Sequence, residues 1–273
     1  MASDLLTELM AGALEDAAQR RSERPLAEME RAALAAPVPI DALEVLRPAD
    51  SVKIIAEVKR ASPSRGQLAT IADPAEHAAA YERGGASAIS VLTEGRRFKG
   101  SLADLEAVRE RVSLPVLRKD FIGDPYQVFE ARAAGADLVL LIVAALEQQD
   151  LVALHDLITQ LGMTPLVEAH SAEEVQRGLD AGATLLGVNA RDLSTFELDK
   201  DLFGRLAPSI PDDVIKVAES AVLAPEDVTS YRSAGADVVL IGEALVTGDP
   251  VDTLGRFLAA GAFPAFAAPA ASN

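Results

Sequence analysis

Glu57 and Lys59 stand two residues apart at the end of an apolar run, Lys53–Lys59 (KIIAEVK), so in an extended strand both side chains face the same way. Other short apolar runs also end on a polar group. Lys119 closes Pro115–Lys119, Glu168 closes Pro165–Glu168, Asn189 closes a run that begins near Leu185, and Glu219 and Ser220 follow Val214. Ammonium and carboxylate groups gathered in a partly desolvated site are suited to general acid–base work. The rest of the catalytic vocabulary is narrow. The chain has no cysteine, which excludes a disulfide, a thiol nucleophile and a cysteine-ligated metal. Its three histidines, His77, His155 and His170, are scattered and form no metal-binding pattern, and they default to structural roles, with a place at the edge of the site as the lesser alternative for His170, which follows the run ending at Glu168. A single charged strand end is as readily structural as catalytic. The convergence of two of the six lysines with several carboxylates carries the functional reading. Lys99 and Lys200 fall in loops as solvated groups, and Lys53 and Lys216 lie farther down their strands.

Such convergence requires a scaffold that brings many strand ends to one place. Four segments echo one another about every 50 residues: Gly84–Leu92, Ala134–Val143, Ala181–Asn189 and Ala234–Gly242. Each passes from a glycine suited to a helix C-cap into a nearly continuous apolar run, the mark of a strand buried on both faces. Each interval leaves room for one more strand and two helices. The helical patterns lie at Pro74–Arg83, Leu102–Val112, Tyr126–Ala134, Leu146–Leu161, Ala172–Ala181 and Pro225–Ala234. Eight alternating units read as an α/β fold, a closed (β/α)8 TIM barrel spanning 51–261, with an open doubly wound sheet as the alternative. Residues 1–50 read as a helical N-terminal extension packed on the barrel, with helices over Ser3–Arg21 and Pro25–Ala35, and residues 262–273 read as a loose tail.

With 273 residues, 49% of them hydrophobic and 25% charged, the chain has enough apolar surface for a sizeable core. A net charge of −17 opposes binding to a polyphosphate backbone, so nucleic acid is not expected as a partner. No run approaches the roughly 20 apolar residues of a membrane span, and the acidic N-terminal stretch is unlike a signal peptide. A cytoplasmic protein with a small-molecule partner is expected, and no oligomeric state is legible. In barrels of this kind the site lies at the carboxyl ends of the strands, with phosphate commonly held after strands seven and eight. Here those places are Glu219-Ser220-Ala221-Val222 and Gly242-Glu243-Ala244-Leu245.

The stretch Ile54–Gly66 (IIAEVKRASPSRG) resembles the signature of the indole-3-glycerol-phosphate synthase family. The likeness continues through Ser90–Glu94, Phe98–Ser101, Leu117–Phe121, Asp124–Gln127, Leu166–His170 and Gly187–Glu197, and covers nearly everything from residue 50 to 250. The resemblance implies a lyase without metal or cofactor. Such an enzyme converts 1-(2-carboxyphenylamino)-1-deoxyribulose 5-phosphate into indole-3-glycerol phosphate, with loss of CO2 and water. It further implies Lys119 as the acid of ring closure, Glu168 as acid–base partner in dehydration, and Lys59 as a second acid and phosphate contact. Glu57 and Asn189 would hold substrate and lysines, Arg191 with Asn189 the substrate carboxylate, and Phe98 the anthranilate ring. Ser62, Glu219, Ser220, Ala221, Gly242 and Glu243 would surround the remaining substrate, the phosphate resting on backbone near Ser62, Ser220, Ala221, Gly242 and Glu243. One departure stands out. The family usually has glycine where this chain has Ala221, so the alanine either takes a strained positive φ or shifts the loop. Two competing readings weigh less. Phosphoribosylanthranilate isomerase, another phosphate-binding barrel, usually relies on a cysteine that is absent here, and a non-catalytic phosphate-binding barrel serving as an interaction subunit would have no need of Lys59, Lys119 and Glu168.

Overall fold

The computed structural model describes residues 5–62, 66–67, 71–192, 197–246 and 248–262. Eight parallel strands close into a barrel: β1 (Lys53–Val58), β2 (Ala88–Leu92), β3 (Val116–Lys119), β4 (Leu138–Ile142), β5 (Thr164–Ala169), β6 (Leu185–Asn189), β7 (Ile215–Glu219) and β8 (Val238–Ile241). Sequential strands are neighbours, and β1 pairs with both β2 and β8. This is the (β/α)8 architecture, and the open-sheet alternative falls away. The register places Ile142 of β4 beside Glu168 of β5, and Asn189 of β6 beside Glu219 of β7. Polar strand ends on different strands thus lie at one level. Two residues below them, Ile55, Leu117, Leu166 and Val217 are buried and form an apolar floor under the polar layer.

The helices form for local reasons. Pro74, Pro125, Pro225 and Pro250 open their helices at the first turn, where a missing N–H costs nothing, and Asp73, Asp124 and Asp249 cap three of these with side-chain oxygens. The repeated glycines perform the turn back into the sheet. At Gly135, for example, φ is 85°, and a β-carbon would approach Arg109 Cγ to 2.7 Å, so only glycine fits.

The N-terminal extension comprises α1 (Leu5–Glu23), α2 (Leu26–Ala35) and α3 (Ala42–Leu46). It lies against the barrel helix Pro125–Ala133: Arg20 Nε donates to Glu130 at 2.5 Å, Tyr126 Oη donates to the Arg24 carbonyl at 2.9 Å, and Arg132 donates to the carbonyls of Ala36 and Pro37. Farther along α1, Arg96 from the loop after β2 pairs with Glu15 and Asp16. Ser51 and Ala262 form a bridge at the base of the barrel, which ties down the first residue of the expected 262–273 tail, and the rest of that tail lies outside the described residues. No helix among the described residues is long and apolar enough to cross a membrane.

Candidate active site

At the carboxyl ends of the strands, one cavity is lined by Glu57, Lys59, Phe98, Lys119, Glu168, Asn189, Arg191, Glu219, Ser220, Ala221, Gly242 and Glu243. Eight βα units therefore bring together every expected site residue except Ser62. The backbone of Ser62 belongs to a short antiparallel pair, Ala61–Ser62 with Gly66–Gln67, and its side chain lies outside what is described.

Lys119 is the centre of the polar layer. Its Nζ lies 2.9 Å from Glu219 Oε2 and 3.3 Å from Glu168 Oε2. Burial opposes its charge, but the carboxylates of Glu219, Glu168 and Glu57 outweigh burial and hold its proton above the ordinary lysine range. Burial would likewise raise the Glu57 carboxyl, yet the ammonium groups of Lys59 and Lys119 keep it below the usual carboxylate range. Lys59 Nζ sits 2.6 Å from Glu57 Oε1.

Glu168 and Glu219 differ, although both are buried. For Glu168, burial is overcome by Lys119 and His170, so its carboxyl is lowered and stays ionised. For Glu219, burial and the neighbouring Glu168 charge prevail over Lys119 and push the carboxyl up to about 8. Two adjacent carboxyls that share one cation settle with one proton between them. The pair shares its proton unequally, with Glu168 the more acidic partner and Glu219 the less, and an ammonium in contact with both.

Space for Glu219 comes from a glycine. A β-carbon on Gly187 of β6 would stand 2.1 Å from Glu219 Oε1 and 3.2 Å from its Cδ. Gly187→Ala is therefore expected to leave the fold intact, since a side-chain end can swing aside, but to displace Glu219 and with it Lys119. A misplacement near 1 Å can cost roughly 10²-fold. Steady-state kinetics should show kcat falling by about that factor with an unchanged melting temperature. Retention of full kcat would mean that the carboxylate position is unimportant.

The remaining cavity residues are held by short polar ties. Asn189 Oδ1 accepts from the Arg191 N–H at 3.0 Å and from Ser220 Oγ at 2.7 Å, joining the ends of β6 and β7. Glu94, whose role the sequence did not reveal, is buried and accepts the backbone N–H groups of Arg96, Arg97 and Phe98, each at 2.8 Å. This carboxylate shapes the loop that sets Phe98 6.1 Å from Phe121, ring centre to ring centre. Behind Lys119, the fully buried Arg118 donates to Asp120, Thr93, Glu130 and the Gln127 carbonyl, and so anchors the end of β3. His170, for which the sequence favours a structural role over a place at the edge of the site, packs against Glu168, with Nε2 3.5 Å from Oε1. Lys99 and Lys200 are exposed, as expected of loop lysines.

After β7 the chain makes a sharp turn with φ of 65° at Ser220 and 61° at Ala221. The alanine thus takes the strained conformation rather than shifting the loop. Relief of about 1–2 kcal/mol on Ala221→Gly would be offset by unfolded-state entropy and by loss of a buried methyl, together also about 1–2 kcal/mol. A β-branched side chain has no such compensation at positive φ. Ala221→Val is expected to move the turn, raising KM for a phosphorylated ligand severalfold with less change in kcat, while Ala221→Gly leaves KM within about twofold. Equal KM values for the two variants would show that the turn does not contact the ligand.

Among the described residues no group of three or more histidine, aspartate or glutamate side chains is arranged to hold a metal ion.

Comparison with known proteins bears on the fold and on the family. A solved structure described as thiamine phosphate pyrophosphorylase from Pyrococcus furiosus superposes with a TM-score of 0.58 at 14% identity, over 77% of this chain and 95% of that one, a likeness of fold alone. In sequence, the indole-3-glycerol phosphate synthase of Leifsonia xyli subsp. xyli is 71% identical over 257 residues, covering 94% of this chain and 99% of that protein. The protein of the same name from Mycolicibacterium gilvum is 57% identical over 267 residues, covering 97% and 98%. The family model described as indole-3-glycerol phosphate synthase matches residues 6–256. With matches of that length and identity, the chain belongs to the indole-3-glycerol phosphate synthase family.

Proposed function

We propose that this chain closes the indole ring of indole-3-glycerol phosphate from 1-(2-carboxyphenylamino)-1-deoxyribulose 5-phosphate, acting as a carboxy-lyase. The observation that carries the reading is Lys119 held in contact with both Glu168 and Glu219 at the mouth that also holds the Lys59–Glu57 pair. The ring carbon that bears the carboxylate attacks the sugar ketone. As the new carbon–carbon bond forms, the ketone oxygen takes a proton from Lys119, whose charge also stabilises the developing alkoxide. The bond to the carboxylate then breaks, its electron pair restores the aromatic ring, and CO2 leaves. In the final step the hydroxyl departs as water with a proton from Lys59, and Glu168 accepts a proton from the adjacent methylene carbon. Every transfer falls to a side chain, so the scheme calls for no metal and no cofactor.

The binding roles are those the family resemblance implies. Phe98 supplies an aromatic wall for the anthranilate ring, Arg191 with Asn189 takes the substrate carboxylate, and Glu57 holds Lys59. The phosphate rests on backbone near Ser62, Ser220, Ala221, Gly242 and Glu243, with Glu219 completing the wall. Residues 51–261 would form the catalytic unit and 1–50 its extension. A fluorescence assay of indole product from the aminodeoxyribulose phosphate tests the reading directly. Turnover by the purified chain without added metal or cofactor is expected, and binding without turnover would favour the non-catalytic alternative.

A further inference from the structure

Phe98 and Phe121 line the cavity from two different loops, one after β2 and one after β3, and their ring centres stand 6.1 Å apart. Strand pairing fixes where two loops begin, but not how far apart their side chains stay. Here α1 lies against both loops. After β3, a β-carbon on Gly123 would stand 2.8 Å from Met10 Cε and 3.3 Å from Leu14 Cδ2, so the chain beyond Phe121 presses its bare backbone on α1. After β2 the contact is ionic. Arg96 Nε and Nη2 both donate to Asp16, at 3.0 Å and 2.6 Å, and Nη1 and Nη2 donate to Glu15 Oε2, each at 3.0 Å. Arg97 adds a 4.0 Å contact with Glu8.

The helix makes room for the guanidinium by lacking a side chain. Gly12 stands inside α1, where glycine is ordinarily disfavoured, and a β-carbon there would come within 3.0 Å of Arg96 Nη1 and 3.2 Å of its Cδ. The other end of the tie is backbone. The Arg96 N–H donates to Glu94 Oε1, and the N–H groups of Arg97 and Phe98 donate to Glu94 Oε2. One buried carboxylate thus gathers the loop as far as Phe98 into a single piece. Arg96 joins that piece by its backbone and α1 by a planar fork, bidentate on Asp16, that fixes direction as well as distance.

Resting on the ring-closure reading, in which Phe98 walls the anthranilate ring, we propose that Arg96 is a positioning residue that latches the Phe98 loop to α1 and so sets the width of the slot between Phe98 and Phe121. The Arg96, Glu15 and Asp16 side chains are 46%, 70% and 39% exposed, so the pairing adds little to global stability. Its loss therefore falls on substrate binding rather than on the fold. The same cation could instead serve by attracting the anionic substrate from solution. The two roles differ in sign when the carboxylates, and not the arginine, are removed.

Wild-type turnover and the hydrogen exchange of the Arg97 and Phe98 amides are measured first. Arg96→Met keeps an unbranched stem and removes the fork. KM is expected to rise about threefold to fivefold with kcat within about twofold and the melting temperature within about two degrees, while the two amides exchange faster. Glu15→Ala combined with Asp16→Ala keeps the Arg96 charge and is expected to raise KM to a similar extent, whereas attraction of the substrate would lower it. In a Phe98→Ala background Arg96→Met should change KM no further, because the latch acts through that ring. A KM within about twofold of wild type for Arg96→Met, a lowered KM for the carboxylate pair, or full multiplication of the Arg96 and Phe98 effects overturns the latch. A wild type that makes no indole product overturns the ring-closure reading instead. Faster exchange in Arg96→Met would then still support a loop latched to α1, and unchanged exchange would overturn both.

Discussion

Lys119→Ala is expected to lower kcat by roughly 10²–10⁴-fold for loss of a general acid, with a further loss because the same ammonium stabilises the alkoxide. The carboxylates around Lys119 raise its proton affinity, so it releases a proton only to a strong base, and the alkoxide formed at ring closure is one. The positive charge is needed most in the transition state, so the loss should fall on kcat and spare KM. Removing the cation also leaves Glu168 and Glu219 without their shared partner. Glu168 then takes up a proton, joining Glu219, whose carboxyl burial already holds up, and this limits the destabilisation that an uncompensated buried charge would cause. Pre-steady-state mixing with the aminodeoxyribulose phosphate checks this: the variant should bind substrate and stall before CO2 release. If it keeps more than about a tenth of the wild-type kcat, Lys119 is not the principal acid and Lys59, 2.6 Å from Glu57, inherits the role.

What could be read in advance from the chain depended on the range of the interaction involved. Strand ends follow from local apolar runs, and once eight parallel strands close, Glu57, Lys119, Glu168 and Glu219 must meet at one mouth whatever the loops do. Residues whose meaning depends on a loop's path were not legible. His170 faces Glu168 only because the chain turns straight into a helix whose third residue, Glu174, reaches back to its backbone. Glu94 looks like any acidic loop residue until three consecutive N–H groups are seen converging on it. Gly187 reads as a strand glycine with no stated purpose, and its role appears only when the Glu219 oxygen is found in the space a methyl would fill. Arg118 illustrates the same limit on the outer face of the barrel. Its neighbour Lys119 marks the strand end, but nothing local shows that the guanidinium is buried among Asp120, Thr93 and Glu130. Ala221 was legible in the opposite way: a departure from the family's glycine marked the turn, and the backbone angle shows which of the two expected responses the chain takes.

Glu168→Gln separates the acid–base chemistry from the charge balance of the site. Glutamine keeps the shape and can still contact Lys119, but it cannot accept a proton from carbon, and kcat should fall by roughly 10²–10⁴-fold. The fold should survive for an electrostatic reason. In the wild type, burial and the Glu168 charge hold the Glu219 carboxyl up to about 8. With Glu168 neutral, one of these two causes is gone and Lys119 is free to draw Glu219 into the ionised form, so the buried cation keeps one anionic partner at 2.9 Å. The expected sign is therefore downward: carboxyl-selective infrared titration should find a group near pH 8 in the wild type and find it displaced to lower pH in the variant. Activity should collapse while the melting temperature stays within a few degrees. A melting temperature that falls along with kcat would assign Glu168 a structural role, and an unmoved titration would mean that Glu168 and Glu219 do not share a proton.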